Sequence, residues 1–294
     1  MGSAVQIIIY GIMVGAVYGL VAIGLALLLG IMRYLNVAHG TFIMLGGYVA
    51  FWLFTLWQID PFLSIPIVVL VMFILGLVVY KLVFSPLHKL PEGLKIADSM
   101  LITFGLILVL DNATTWLWTS DVRSVTTSYT GETVSLLGVR LAYTSLAGFA
   151  LAILAILALH LLMTKTYFGK AVRAATQDWE AASLAGIDVQ RTYLISCGIA
   201  VALAGVAGVI MVTSYSITPA GGMAWLLVAM IVVVLAGEGN INGLFAAGLF
   251  LGLVEAASVF VTGASYREVI GLVMFILVLL FRPQGLFVRK ARGT

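Results

Sequence analysis

The chain has 294 residues, of which 63% are apolar and 9% charged, with a formal net charge of +3. Soluble domains carry about 25% charged residues, so the charges here are too few to clothe a water-exposed surface and the bilayer is the expected solvent. No basic stripe points to nucleic acid.

A spanning helix needs roughly 20 predominantly apolar residues. Taken in chain order, such stretches fall at 4–30, 40–57, 62–84, 99–118, 141–163, 192–213, 222–236, 241–260 and 266–281. They lack the apolar-polar alternation of a transmembrane barrel, so the expected fold is an all-α polytopic membrane protein of about 8–10 helices in one transmembrane domain, 1–294. The N-terminal stretch lacks a basic n-region and reads as the first span, not a removed leader. In it Gly11, Gly15 and Gly19 recur every fourth residue, a smooth face for close helix approach, either static or sliding. Gly205 and Gly208 read the same way. The pair 222–236 and 241–260 is separated by the tight break "AGEGNING", and one member is short enough to be a half-helix.

Cations bias the two sides. With the N-terminus outside and alternating crossings, the inner side receives Arg33, Lys81, Lys89, Lys95, Lys165, Lys170, Arg173, Arg191, Arg282, Arg289, Lys290 and Arg292, against Arg123, Arg140 and Arg267 outside. The positive-inside rule then expects N-out and C-in, with a cytoplasmic tail at 282–294. The polar stretch 119–141 becomes an extracytoplasmic loop, and its "YTGETVSLLG" has a hairpin-like pattern around Thr130 and Gly131.

The inner loop, 165–191, contains "QDWEAASLAG" at 177–186. Thr176 is positioned to cap a helix, Asp178 and Glu180 suit its positive first turn, and Gly186 suits its left-handed end. Asp188 suits the cap of the next span. The expected product is a short isolated helix of about ten residues. Ala181, Leu184 and Ala185 share a small apolar face, fit for a groove on another protein. The alternative is a helix lying on lipid, which usually presents larger apolar residues. Lys170 and Arg173 suit an anionic inner membrane surface.

Glu180, Ala181 and Ala182 with Gly186 resemble the EAA motif of ABC importer permeases. The stretches 17–50, 169–208 and "FRPQGLF" at 281–287, with Asn36, His39 and Gly40 in the first, resemble the LivH-type permeases of branched-chain amino acid ABC transporters. That family also includes permeases for urea, short amides and other small organic compounds. The resemblance implies the larger, many-helix (type II-like) importer fold. It makes 178–186 a coupling helix for the ATPase, with Asp178, Glu180, Ala181, Ala182, Leu184, Ala185 and Gly186 its coupling residues. It also implies a LivM-like permease partner, two ABC ATPase subunits that hold ATP and Mg, an extracytoplasmic substrate-binding protein, surrounding membrane lipid and a bacterial inner-membrane location. The segment "AGEGNING" departs from the family's usual glycine pair and serine at Ala236, Glu238 and Asn240.

The chain carries no phosphate-binding loop, so ATP must act through another chain. No hydrolase motif appears. His39, His88 and His160 do not have metal spacing, and Cys197, the only cysteine, excludes an internal disulfide. No cofactor is expected in this chain. An ionisable group at the bilayer centre costs about 2.5–3.5 kcal/mol and usually faces protein or a watery cavity. Glu255 and Asp111 are therefore candidates to line a pathway, or are paired structurally. Asn36 and His39 are candidates at a break after the first span. Thr103 offers a hydroxyl and Gly105 an approachable backbone. So few fixed charges suit a zwitterion or a neutral polar solute. The rival reading is a proton-coupled carrier or channel that uses Asp111 and Glu255 as relays; a membrane scaffold without flux is weaker.

Overall fold

The computed structural model describes residues 2–89, 92–136, 139–237, 241–263, 266–282 and 284–287. Eleven α-helices occur among them. Nine are long: α1 Gly2–Met32, α2 His39–Trp57, α3 Ile65–Val79, α4 Glu92–Trp118, α5 Tyr143–Lys165, α8 Val189–Ser214, α9 Gly222–Ala236, α10 Ile241–Thr262 and α11 Arg267–Phe281. Two short ones, α6 Tyr167–Gln177 and α7 Trp179–Leu184, lie between α5 and α8. Six runs are long and apolar enough to cross a bilayer, namely Val5–Met32, His39–Trp57, Ile65–Leu87, Tyr143–Lys165, Val189–Ser214 and Pro219–Ala236. Gly243–Val259 and Val269–Phe281 are shorter apolar runs.

Boundaries move for local reasons. The span expected from 62 starts at Ile65, because Asp60 ties a turn ahead of it by accepting from the Phe62 N–H at 2.8 Å. It then continues through a π-helical turn, Tyr80–Phe84. The span expected from 141 starts at Tyr143, because 141 and 142 belong to a strand. α4 begins seven residues earlier than the apolar pattern, at Glu92 rather than 99, since a helix need not be apolar outside the bilayer. Both members of the doubtful pair are continuous helices. The 15 residues of α9 span about 22 Å, and the 3-10 turn Pro219–Gly221 ahead of it extends the apolar run to 18 residues. Of the break between them, positions 238–240 lie outside the described residues, as do 288–294 of the tail.

α1 and α8 form the centre of the bundle. Both bury most of their apolar length, and a helix apolar all round belongs inside. The glycine face of α1 packs on α10, where a Cβ on Gly15 would lie 2.6 Å from the Leu249 backbone and one on Gly252 would lie 2.5 Å from Gly15. Gly205 and Gly208 serve α8 in the same way. A Cβ on Gly46 of α2 would meet Gly205 at 2.5 Å, and one on Gly208 would meet the Ile43 carbonyl at 2.1 Å. These are backbone-to-backbone seams, the small-residue packing that replaces hydrophobic drive inside lipid.

At the end of the bundle away from α7, strands β1 Thr133–Leu136 and β2 Val139–Ala142 pair antiparallel. The residues between them, 137–138, lie outside the described residues. The expected reversal at Thr130 and Gly131 is a separate turn before β1, with Gly131 at φ +90°. Tyr129 donates to Asp60 at 2.7 Å and stacks on Phe62, which pins this loop to the start of α3. Burial, and then the Asp60 carboxylate, hold the Tyr129 phenol above its ordinary pKa. Arg123 stands over the rings of Phe51 and Trp52 and donates to the Trp118 carbonyl at 2.6 Å.

Candidate functional site

Three regions carry the candidate residues. The first is α7. Thr176 does not cap it; the Thr176 hydroxyl donates to the Val172 carbonyl inside α6 at 2.8 Å. Asp178 takes that place, because its extended backbone breaks the helix and its carboxylate accepts from the N–H groups of both Glu180 and Ala181 at 3.0 Å. A carboxylate at this cap also meets the positive helix end. The helix is therefore six residues long instead of about ten. Gly186 sits at φ +83° and donates to Ser183, while Ile187 donates to Ala182. These two bonds are the Schellman closure that a left-handed glycine permits. Asp188 then caps α8 by accepting from the Arg191 N–H.

Ala182 alone of this helix is buried, facing its own body. Ala181 and Ala185 are exposed, Trp179 is 47% exposed and Leu184 is 91% exposed. Behind α7 a cavity of about 680 Å³ separates it from the end of α1 and from α4, with Met32, Arg33, Lys95 and Tyr193 on its wall. α6 is fixed to the end of α5 by Arg173, which donates to the Met163 carbonyl, and by the Thr166 cap on Gly169. The lever formed by α6 and α7 is thus held at the end of α5 and leads on through Asp188 into α8.

The second region is the break between α1 and α2. Arg33, at φ +55°, ends α1 in the left-handed region, which a non-glycine residue seldom adopts. The chain then turns back. The His39 Nε2–H donates to the Val21 carbonyl at 2.9 Å. Val21 precedes the end of α1 by eleven residues, so α2 starts about 16 Å back along α1. A carbonyl only accepts, so Nε2 carries the ring proton and Nδ1, buried and unpartnered, is a bare acceptor. Asn36 is fully buried; its Oδ1 accepts from the Ala38 N–H and its Nδ2 has no partner. Two unmatched polar atoms thus stand at the head of α2 in the middle of the bundle.

The non-helical backbone of this break is held by α4. Ser99 Oγ accepts from the Leu35 N–H at 3.0 Å and Thr103 Oγ1 from the Val37 N–H at 3.1 Å. These hydroxyls are one turn apart, on one face of α4. Ser99 was not singled out from sequence, though its four-residue spacing from Thr103 was the signal. Thr103→Val keeps the shape and orphans the part-buried Val37 N–H, and is expected to lower stability by about 1–3 kcal/mol. Thr103→Ser should restore most of it in a thermal melt of the solubilised protein. Gly105, beside them in sequence, faces open space. Asp111, further along α4, is half-buried and accepts from the Thr41 hydroxyl at 3.3 Å.

The third region surrounds Glu255 on α10. Its Oε2 accepts from the Tyr18 hydroxyl at 2.6 Å and from Arg267 Nε at 2.7 Å. Arg267 Nη2 also donates to the Tyr18 oxygen at 2.7 Å, closing a triangle. Sequence reasoning missed Tyr18 and Arg267. The signal was a lone cation opening one apolar helix and a lone carboxylate inside the one before it.

These features define a multi-pass helical membrane protein with a capped helix projecting from one end and with polar groups at a break and a charge pair inside. The model of the family described as "branched-chain amino acid transport system / permease component" matches residues 7–279, and the chain belongs to that family. It is 31% identical to the high-affinity branched-chain amino acid transport system permease protein BraD of Pseudomonas aeruginosa, over 97% of this chain and 95% of that one. It is 32% identical to the probable branched-chain amino acid transport permease protein LivH of Methanocaldococcus jannaschii, over 91% and 87%. To LivH of Escherichia coli the identity is 27%, over 95% and 94%. No solved structure matches.

Proposed function

We propose that this chain is one of two transmembrane subunits of an ATP-driven importer for branched-chain amino acids. A LivM-like permease pairs with it, two ATPase subunits grip the pair at α7 and its counterpart, and an extracytoplasmic binding protein delivers solute to the opposite end. The N-terminus lies outside and the C-terminus inside, as the cation bias requires. Family membership supplies the class. The observation that carries the mechanism is α7 itself: a six-residue helix capped at both ends, with its one large aliphatic side chain, Leu184, 91% exposed beside exposed alanines. A bare leucine among small residues fits a groove in a partner.

The lever transmits motion through α6 into α5 and through Asp188 into α8, one of the two central helices. The cavity behind α7 leaves room for α7 to swing. Asn36 and His39, at the head of a helix that starts inside the bundle, line the pathway, with Thr103 and Ser99 holding the break open to solute. Asp111 and Thr41 lie further along it. ATP drives net flux only if the solute binds differently in the two arrangements of the bundle.

The test is gentle purification of the chain from its native membrane, followed by uptake in vesicles. An ATPase and a second permease should accompany it, and leucine uptake should require ATP inside. A chain that purifies alone and moves solute with the proton gradient and without ATP is a carrier, and this reading is then wrong.

A further inference from the structure

A cavity of about 220 Å³ lies between α1, α9, α10 and α11, apart from both α7 and the α2 head. Its floor is the Glu255–Arg267 pair, its aromatic side is Tyr18, Tyr215 and Trp225, and Val228 and Ile231 form an aliphatic wall. Cavities for drug-sized ligands begin at about 300 Å³, so this one suits a smaller solute. We propose that it is the amino-acid subsite of this permease: it takes a small zwitterion with an apolar side chain, the carboxylate on Arg267, the ammonium on Glu255 and the side chain against α9. The inference rests on the importer reading above and adds a place on the solute's route separate from the break at Asn36 and His39.

Three observations point the same way. The floor carries one positive and one negative group 2.7 Å apart, and each described bond to the carboxylate falls on Oε2. The other oxygen, Oε1, faces Gly271, whose missing side chain leaves room; a Cβ there would lie 3.1 Å from it. A paired floor matches a zwitterion and leaves a buried charge unmatched for a solute of net charge. The aromatic side is equally suited, since Arg267 already lies 5.8 Å from the Tyr18 ring centroid and a ring face attracts an ammonium for the same reason. Finally, the Arg267 side chain is 23% exposed next to exposed apolar residues of α11. An ion pair opening onto lipid is costly, so its opening belongs to a watery path or to the second permease.

Val228 supplies the test, because a larger side chain on this aliphatic wall takes space from the cavity while both members of the Glu255–Arg267 pair keep their partners. The assembled importer carrying Val228→Ile or Val228→Phe is reconstituted with its binding protein, and leucine and valine uptake are measured per assembled complex. The extra methylene of leucine should then be excluded, so the leucine-to-valine rate ratio should fall about tenfold in Val228→Phe and less in Val228→Ile. A ratio equal to that of the unmodified importer in the variants that assemble overturns the proposal, whatever the absolute rates. If the unmodified importer moves neither amino acid, it is the importer reading that fails.

Discussion

Leu184→Asp lowers ATPase association and ATP-driven uptake at least tenfold while leaving the permease folded. The side chain is 91% exposed, so its replacement removes almost no packing from this chain. Surface substitutions of that kind usually change stability by less than about 0.5 kcal/mol. Across an interface the same side chain is worth far more. A buried anchor at an interface centre contributes about 2 kcal/mol or more, and a carboxylate driven into an apolar groove adds its desolvation. Since about 1.4 kcal/mol is tenfold in affinity, the motor should no longer co-purify. Thermal melts should coincide with those of the unmodified chain. Full uptake by Leu184→Asp would remove α7 from the coupling path. Ala182→Asp is the contrasting variant: Ala182 faces inward and is buried, so that change should disrupt the joint itself and lower stability.

The contrast between Ala182 and Leu184 marks what could be read from the sequence. The existence of a short isolated helix at 178–186 followed from composition, from Gly186 and from Asp188. Its start did not, because Thr176 and Asp178 both make good caps. The choice went to Asp178, whose carboxylate reaches two N–H groups where a hydroxyl would reach one. The apolar face of Ala181, Leu184 and Ala185 was legible from helical spacing, since spacing alone sets which side chains share a side. Which side faced the body was not, because that depends on α8 and on how α6 enters.

The interior followed the same division. The spans came from hydrophobicity, which is a property of each segment. The pairing of Glu255 with Tyr18 and Arg267 is a property of three helices meeting, and 237 residues separate Tyr18 from Glu255. A lone buried carboxylate implies a partner but does not say which. Thr103 shows the reverse case. Its hydroxyl was noted as a pathway candidate, yet it is occupied with backbone: it accepts from Val37 and donates to Ser99. Non-helical chain inside a bilayer has to find such partners, and Ser99 with Thr103 are those partners for the break at 33–38. The candidates that do keep unmatched atoms, Asn36 and His39, are the ones the break itself presents.

Gly40→Ala abolishes the folded permease. A Cβ at Gly40 would lie 2.0 Å from the Gly222 carbonyl oxygen and 2.8 Å from its carbon. Both neighbours are backbone at the head of α9, so no side chain can swing aside. Reciprocally, a Cβ on Gly222 would lie 2.7 Å from the Thr41 nitrogen. The heads of α2 and α9 therefore touch through two glycines, and neither helix can retreat alone. α2 is held by the His39 bond to α1 and by its seam with Gly205 and Gly208. α9 is held at its other end, where the Leu286 N–H donates to the Leu235 carbonyl. Overpacking in a well-packed core costs about 1–3 kcal/mol even when side chains can adjust, and here the overlap is with fixed backbone. The expected outcome is aggregation or a loss of about 3 kcal/mol or more, read as the yield of monodisperse protein and its melting temperature. Gly105→Ala controls for helix propensity. Nothing lies within 4 Å of that position, so the same change there should be neutral or stabilise by about 0.5–1 kcal/mol. If Gly40→Ala melts like Gly105→Ala, the two helix heads do not meet, and the break at 33–38 cannot hold Asn36 and His39 inside the bundle as described.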